Sequence, residues 1–329
     1  MAKKYKVIFV ILLILLAFTS FMHLNNGRFE NSISDFFSAL FSYDENNQTQ
    51  LILREIRFPR TVMAILAGSG LALAGLLLQT FLNNPLAGPS ILGITSGSSL
   101  FVALSLLSGF GFFATEIGVT FSALLGALCF SLLILFFSFF IKSQVSLLLV
   151  GMMLGAFTSA LVQILQLTSN ANQLKAFTLW SFGSLQQVSF HQLGFISILF
   201  SVGLSALFLI VKPLNLLVLG EKNAQILGLN VKGMRILIIT ISSLFAGLIT
   251  AFCGPIAFIG LAVPNITKML FKTQNHLVLI LGSMLIGALV LLICDLVIIY
   301  LESTIAIPLN GITSLIGAPI VVWIILKKF

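Results

Sequence analysis

Few side chains in this sequence could do chemistry, and they are spaced too far apart to do it without help from the fold. Asp295 is the one acidic residue well inside an apolar run, where an ionisable group is costly enough to point to a role. It reads either as a proton- or substrate-coupling group or as a carboxylate that reaches interfacial water or caps a neighbouring helix. His23, His191 and His276 all lie at the ends of apolar runs. No two histidines are four residues apart and no HExxH occurs, which excludes a zinc protease of that type. There is no GxSxG nucleophile turn and no phosphate loop of the form GxxxxGK followed by Ser or Thr, so any ATP consumed must be bound by another chain. Cys129, Cys253 and Cys294 sit in apolar runs with no CxxC spacing and read as buried apolar thiols rather than a disulfide or a metal site. No catalytic residue, resident metal or cofactor is expected on this chain.

The elements that must position these groups follow from composition. Hydrophobic residues make up 59% of the 329 residues and charged ones 8%, with a mean hydropathy of +1.15. Such a chain has too little polar surface for water, and in a bilayer only helices satisfy every backbone amide internally. Each crossing needs about 20 mostly apolar residues, so the chain reads as a single all-α membrane domain over residues 1–329. The breaks between apolar runs place ten spans near 7–22, 61–82, 90–107, 117–141, 146–168, 192–211, 234–253, 257–272, 277–300 and 307–326. The lysines before the first run suggest a signal peptide, but no small-x-small cleavage pattern follows, and the run is read as a retained helix. Ile33, Phe36, Phe37, Leu40 and Phe41 recur at helical spacing and predict a short amphipathic helix at about 30–42, flat on the external surface.

An even number of spans puts both termini on one side. Of the 17 basic residues, that side would hold twelve: Lys3, Lys4, Lys6, Lys142, Lys212, Lys222, Lys232, Arg235, Lys268, Lys272, Lys327 and Lys328. The other would hold Arg28, Arg54, Arg57, Arg60 and Lys175. The positive-inside rule then makes both termini cytoplasmic in a multi-pass protein. The net charge of +8 is thereby explained by the loops and gives no reason to invoke nucleic acid.

Three segments stand out from the apolar background: Arg57-Phe58-Pro59-Arg60, Asn83-Asn84-Pro85-Leu86-Ala87-Gly88-Pro89, and Leu219-Gly220-Glu221 running on to Gly228-Leu229. The last lies in a cytoplasmic stretch of about 213–232, long enough for one or two short helices. Ala224, Leu227 and Gly228 recur at i, i+3, i+4, a small-residue face suited to a groove in a partner, or simply an amphipathic loop. Glu221 sits early in that helix, where a negative charge suits the helix dipole. Gly151 and Gly155 form a GxxxG that permits close helix packing.

In these segments, and in Gly93-Ile94-Thr95-Ser96-Gly97, Trp180 with Gly183-Ser184-Leu185, Gly254-Pro255-Ile256-Ala257-Phe258-Ile259-Gly260-Leu261-Ala262-Val263-Pro264 and Gly317-Ala318-Pro319, the chain resembles the FecCD family of ABC-importer permeases. That family includes vitamin B12, haem and iron-siderophore permeases. The resemblance runs from about Arg54 to Lys327. It implies a vitamin B12 permease-like bundle in the bacterial cytoplasmic (inner) membrane, paired with a second permease subunit, here the same chain. It further implies two cytoplasmic ABC ATPase subunits, which carry the ATP and Mg, and an external substrate-binding protein. Ferric siderophores are the expected cargo, with haem or cobalamin as alternatives and an ion-gradient-driven transporter as the reading from another class.

By the same resemblance Gly220, Glu221, Ala224, Leu227 and Gly228 would couple to the ATPase. Arg57 and Arg60 would dock the binding protein, and Asn84, Leu86, Gln144 and Val145 would form cytoplasmic constrictions. The chain departs from the family at Asn265, where histidine is usual. It departs again at Ile298, Ile299 and Tyr300, where the vitamin B12 permease has a further basic docking residue.

Overall fold

The computed structural model describes residues 2–25, 38, 47–108, 115–141, 143–302 and 307–328. The amphipathic helix expected at 30–42 therefore falls outside the described residues, apart from Ser38, which is helical. Every regular element among the described residues is helical.

Among the described residues, ten of these helices are long apolar ones. Seven are long enough to span a bilayer and three are shorter. In chain order they are α1 (Ala2–Asn25), α3 (Phe58–Phe81), α4 (Ile94–Leu107), α5 (Glu116–Phe140), α6 (Gln144–Thr168), α8 (Phe190–Leu209), α11 (Val231–Cys253), α12 (Ile259–Phe271), α13 (His276–Leu301) and α14 (Leu309–Lys328). Between them lie the short helices α2 (Gln48–Ile52), α7 (Ala171–Ser181), α9 (Val211–Leu217) and α10 (Glu221–Ile226).

The largest departure from the expected boundaries is at the second span. Its helix begins at Gln48 and runs through a π-helical turn at Leu53–Arg57 into α3. A cluster of arginines reads in sequence as a loop, but here Arg57 and Arg60 find partners inside the bundle and the backbone stays helical. Elsewhere helix starts follow local chemistry: Asn170 with Gln173, and Ser189 with Gln192, close reciprocal capping boxes at α7 and α8.

The centre of the bundle is α3, of whose most apolar stretch 83% is buried, against 11% for peripheral α1. Neighbours approach it where both helices carry glycine. The backbones of Gly68 and Gly287 touch between α3 and α13, and those of Gly75 and Gly260 between α3 and α12. Small residues let membrane helices gain dispersion contact that lipid would otherwise supply. Gly151 likewise lies against the backbone of Leu92.

α4 and α12, with 14 and 13 residues, are too short to cross a bilayer alone, and each is preceded by non-helical backbone, at 82–93 and 254–258. Before α12, the turn at 254–258 is held by Asn310, whose Oδ1 accepts from the Ala257 N–H at 3.1 Å. The Ser184 N–H donates to the Cys253 carbonyl at 2.8 Å.

Candidate coupling and gating site

The bundle end at which α3 finishes gathers most of the residues singled out in sequence. α3 ends there in a left-handed residue, Asn83 (φ 42°), and the Asn84 N–H returns to the Gln79 carbonyl at 3.2 Å, so the freed carbonyls are partly satisfied. Pro85 cannot continue the helix. Asn84 Oδ1 then accepts from the Leu86 N–H at 2.9 Å, leaving the Leu86 side chain partly exposed at the tip.

Asn265 holds this turn from below, since its Nδ2 donates to the carbonyls of Pro85 and Leu261, both at 2.8 Å. The residue that departs from the family pattern is thus a backbone clamp on the turn. At the start of α6, Gln144 Nε2 donates to the Phe81 carbonyl at 3.2 Å, while Val145 beside it is exposed.

The segment after α8 folds as the pair α9 and α10. Gly220 joins them at φ 91° and ψ 150°, a region open in practice only to glycine. Gly228, at φ 86°, closes α10: its N–H reaches the Gln225 carbonyl and the Leu229 N–H the Ala224 carbonyl, at 2.9 and 3.0 Å. Of the face expected to meet a partner, Ala224 turns into the bundle and is fully buried, whereas Leu227 and Gly228 are exposed. Ile226, not singled out in sequence, is 84% exposed, and Val218 and Leu219 are exposed beside it.

Between this pair and the end of α3 is a cavity of about 430 Å³ that Gln144, Gly220, Glu221 and Asn83 line together. The structure therefore brings the expected coupling residues and part of the expected gate to one place. It adds Arg235, one turn into α11, which spacing alone did not mark. Arg235 Nη2 is 3.6 Å from Glu221 Oε1, its Nη1 donates to the Ser138 carbonyl, and its guanidinium lies 5.4 Å from the centre of the Phe81 ring.

Arg57, Arg60 and Asp295 lie at the opposite end. Arg60 grips Asp295 with two parallel bonds, Nε to Oδ2 at 2.7 Å and Nη2 to Oδ1 at 2.9 Å. His23 Nε2 is 2.7 Å from the same Oδ2, and its Nδ1 is 2.8 Å from Thr61 Oγ1. Arg57 Nη1 donates to the Leu24 carbonyl at 3.1 Å. Arg60 is 8% exposed and Asp295 2%. The carboxylate thus ties α1, α3 and α13 together, and both its oxygens are taken. Arg60 Nη1 lies 4.0 Å from the exposed Glu302.

A polar strip runs between α4 and α6, where Thr95, Ser96, Ser99, Ser159, Gln163 and Gln166 line a cavity of about 290 Å³. Hydroxyls and carboxamides on a partly exposed face at membrane depth call for water, cargo or another protein surface rather than lipid.

Comparison with known proteins places this architecture. The solved structure of a protein assigned as a metal-chelate type ABC transporter, in an inward-facing conformation, superposes with a TM-score of 0.85 at 33% identity, covering 98% of this chain and 99% of that one. The molybdate import permease MolB of Haemophilus influenzae is 34% identical over 94% of this chain and 92% of its own length. The hemin transport permease HmuU of Yersinia pestis is 33% identical over 96% and 94%. The vitamin B12 import permease BtuC of Salmonella typhimurium is 33% identical over 85% of each chain. The FecCD transport family model matches residues 12–327, and the chain belongs to that family, as a multi-pass permease of the ABC-importer type.

Proposed function

We propose that this permease moves ferric siderophores across the bacterial cytoplasmic membrane by alternating access. It would work as a dimer of two copies of this chain with two cytoplasmic ABC ATPases and an external binding protein. The observation that carries the coupling half of this reading is the α9–α10 pair. Its apolar side chains Val218, Leu219, Ile226 and Leu227 stand exposed at the bundle end where α3 finishes, beside the turn that carries Asn84 and Leu86. An exposed apolar cluster next to a gate is what a docking ATPase would cover.

On this reading Gly220, Glu221, Leu227 and Gly228 meet the ATPase, with Ala224 packing α10 onto the bundle, and Asn84, Leu86, Gln144 and Val145 close the path on the cytoplasmic side. Arg57 and Arg60 dock the binding protein at the opposite rim. Arg60 can offer an acidic partner only Nη1, because Asp295 holds its other edge. Ion pairs at such a rim set orientation and encounter rate more than affinity.

The polar strip supports the cargo assignment. Its hydroxyls and amides suit an oxygen-rich chelate, and none of the residues lining it is charged. The relatives' cargoes, molybdate, hemin and vitamin B12, define the competing outcomes. Cells that carry the chain as their sole permease of this type should take up radiolabelled iron as a siderophore complex. Uptake of hemin, cobalamin or molybdate in place of that complex would overturn the cargo assignment.

The coupling assignment makes a separate prediction. Glu221→Arg replaces the negative end of α10 with a charge facing Arg235, and it should insert normally while uptake falls at least about tenfold, the lower half of the range for coupling between sites. Gly220→Val, strained at positive φ, should behave alike. Normal cargo-stimulated ATP hydrolysis in both variants would remove these residues from the ATPase contact.

A further inference from the structure

Two polar chains leave the α9–α10 pair and end on adjacent residues of the last turn of α3. The first runs from Glu221 through Arg235, which spans to the face of the Phe81 ring and to the carbonyl of Ser138 near the end of α5. The second runs from Asn215 on α9, whose Oδ1 accepts from the His276 N–H at 2.8 Å and lies 3.0 Å from its Nδ1. The other ring nitrogen, Nε2, is 2.9 Å from Thr80 Oγ1.

Thr80 and Phe81 are followed at once by the Asn83–Leu86 turn, and the Phe81 carbonyl also receives Gln144. The cavity of about 430 Å³ separates the two parts. Thr80, Phe81 and Glu221 line it, and Arg235 and His276 touch these lining residues from outside the cavity.

We propose that Arg235 and His276 are positioning residues through which displacement of the α9–α10 pair reaches the gate at the end of α3. This inference rests on the importer reading above. A guanidinium that donates to a helix-end carbonyl, lies over a ring and faces a carboxylate at 3.6 Å is set by three different neighbours, so a shift of any one of them is felt by the others. His276 does the same with both ring nitrogens and its own backbone amide. Neither residue touches cargo or nucleotide on this reading. Their effect passes through Phe81 and Thr80.

The test uses the full chain, assembled with its native ATPase in inside-out vesicles. It carries Cys129→Ser, since this thiol is exposed in the structure and not buried as its apolar surroundings suggested, and Ser90→Cys, exposed on the loop that follows the Asn83–Leu86 turn, as reporter, read by the labelling rate of a membrane-impermeant maleimide. In this background ATP with vanadate should change the rate about fivefold or more, the lower end of typical coupling between sites. Arg235→Gln and His276→Gln should each cut the change to about twofold or less, while ATP is still hydrolysed. Arg235→Lys, which keeps the charge but not the fork, should fall between.

The effects of Arg235→Gln and Glu221→Gln should be non-additive, as for residues in one network. Phe81→Leu keeps the apolar contact and removes the ring. It serves where a polar variant fails to assemble, and it should lose the response as well. A full nucleotide response in the Arg235→Gln, His276→Gln double variant, or in Phe81→Leu, overturns the relay while leaving the importer reading intact. No response and no hydrolysis in the parent chain overturns both.

Discussion

Asp295→Ala is expected to destabilise the protein by about 3–5 kcal/mol, the usual result of removing one partner from a buried ion pair. The change strips Arg60 of both carboxylate bonds and His23 of one contact, at sites where neither reaches water easily. Thermal unfolding in detergent should show a clearly lowered midpoint. The double variant Asp295→Ala, Arg60→Met should recover much of the loss, because the guanidinium left buried without its carboxylate is removed with it. A single variant as stable as the parent would show that the pair contributes nothing net. The same construction bears on ion-driven transport. A carboxylate gripped at both oxygens by Arg60 is poorly placed to load and release protons. Asp295→Asn should therefore leave uptake dependent on ATP, and its loss together with a pH-gradient dependence would favour the gradient-driven class.

Gly75→Leu should have an effect of comparable size through a different mechanism. A Cβ at this position runs into the Gly260 backbone, and a Cβ at Gly260 would in turn meet the Leu71 carbonyl at 2.8 Å. The obstruction is main chain on both sides, so no rotamer change relieves it and α3 and α12 must separate. Overpacking typically costs about 1–3 kcal/mol, and a backbone clash belongs at or above the top of that range. Loss of monodisperse protein in size-exclusion chromatography is the expected readout. Gly194→Ala is the control: a Cβ there meets nothing within 4 Å and a better helix former replaces glycine, so stability should hold or rise slightly. Equal behaviour of the two variants would contradict the assignment of the α3–α12 crossing to glycine contact.

Much of the fold is written in the apolar runs, because hydropathy and Gly/Pro breaks report on every crossing independently of the others. All ten expected spans correspond to apolar helices within a few residues, except at the second, where Arg54, Arg57 and Arg60 disguise helix as loop. What ends that disguise is long-range: Asp295 is 235 residues from Arg60 and 272 from His23, and no local pattern links them. The short helices at 211–217 and 221–226 were foreseeable from a polar stretch of that length between spans. Which way Ala224 points was not, since a six-residue helix carries too little periodicity to fix its inward face. Arg235 had a faint signal, a lone guanidinium one turn inside an apolar helix. Only the packed bundle shows that Phe81, Ser138 and Glu221 converge on it. Asn265 stood out in sequence as a departure, and its place as a clamp on Pro85 became visible only with the turn folded.

The most direct test of the central claim, that this permease is driven by a partner ATPase, is to purify the tagged chain from its native membrane in mild detergent and identify what accompanies it by mass spectrometry. Recovery of a chain with a GxxxxGK phosphate loop, released when Glu221→Arg is introduced, is the predicted result. Reproducible absence of any such ATPase, from preparations that still take up ferric siderophore under an ion gradient alone, would contradict it.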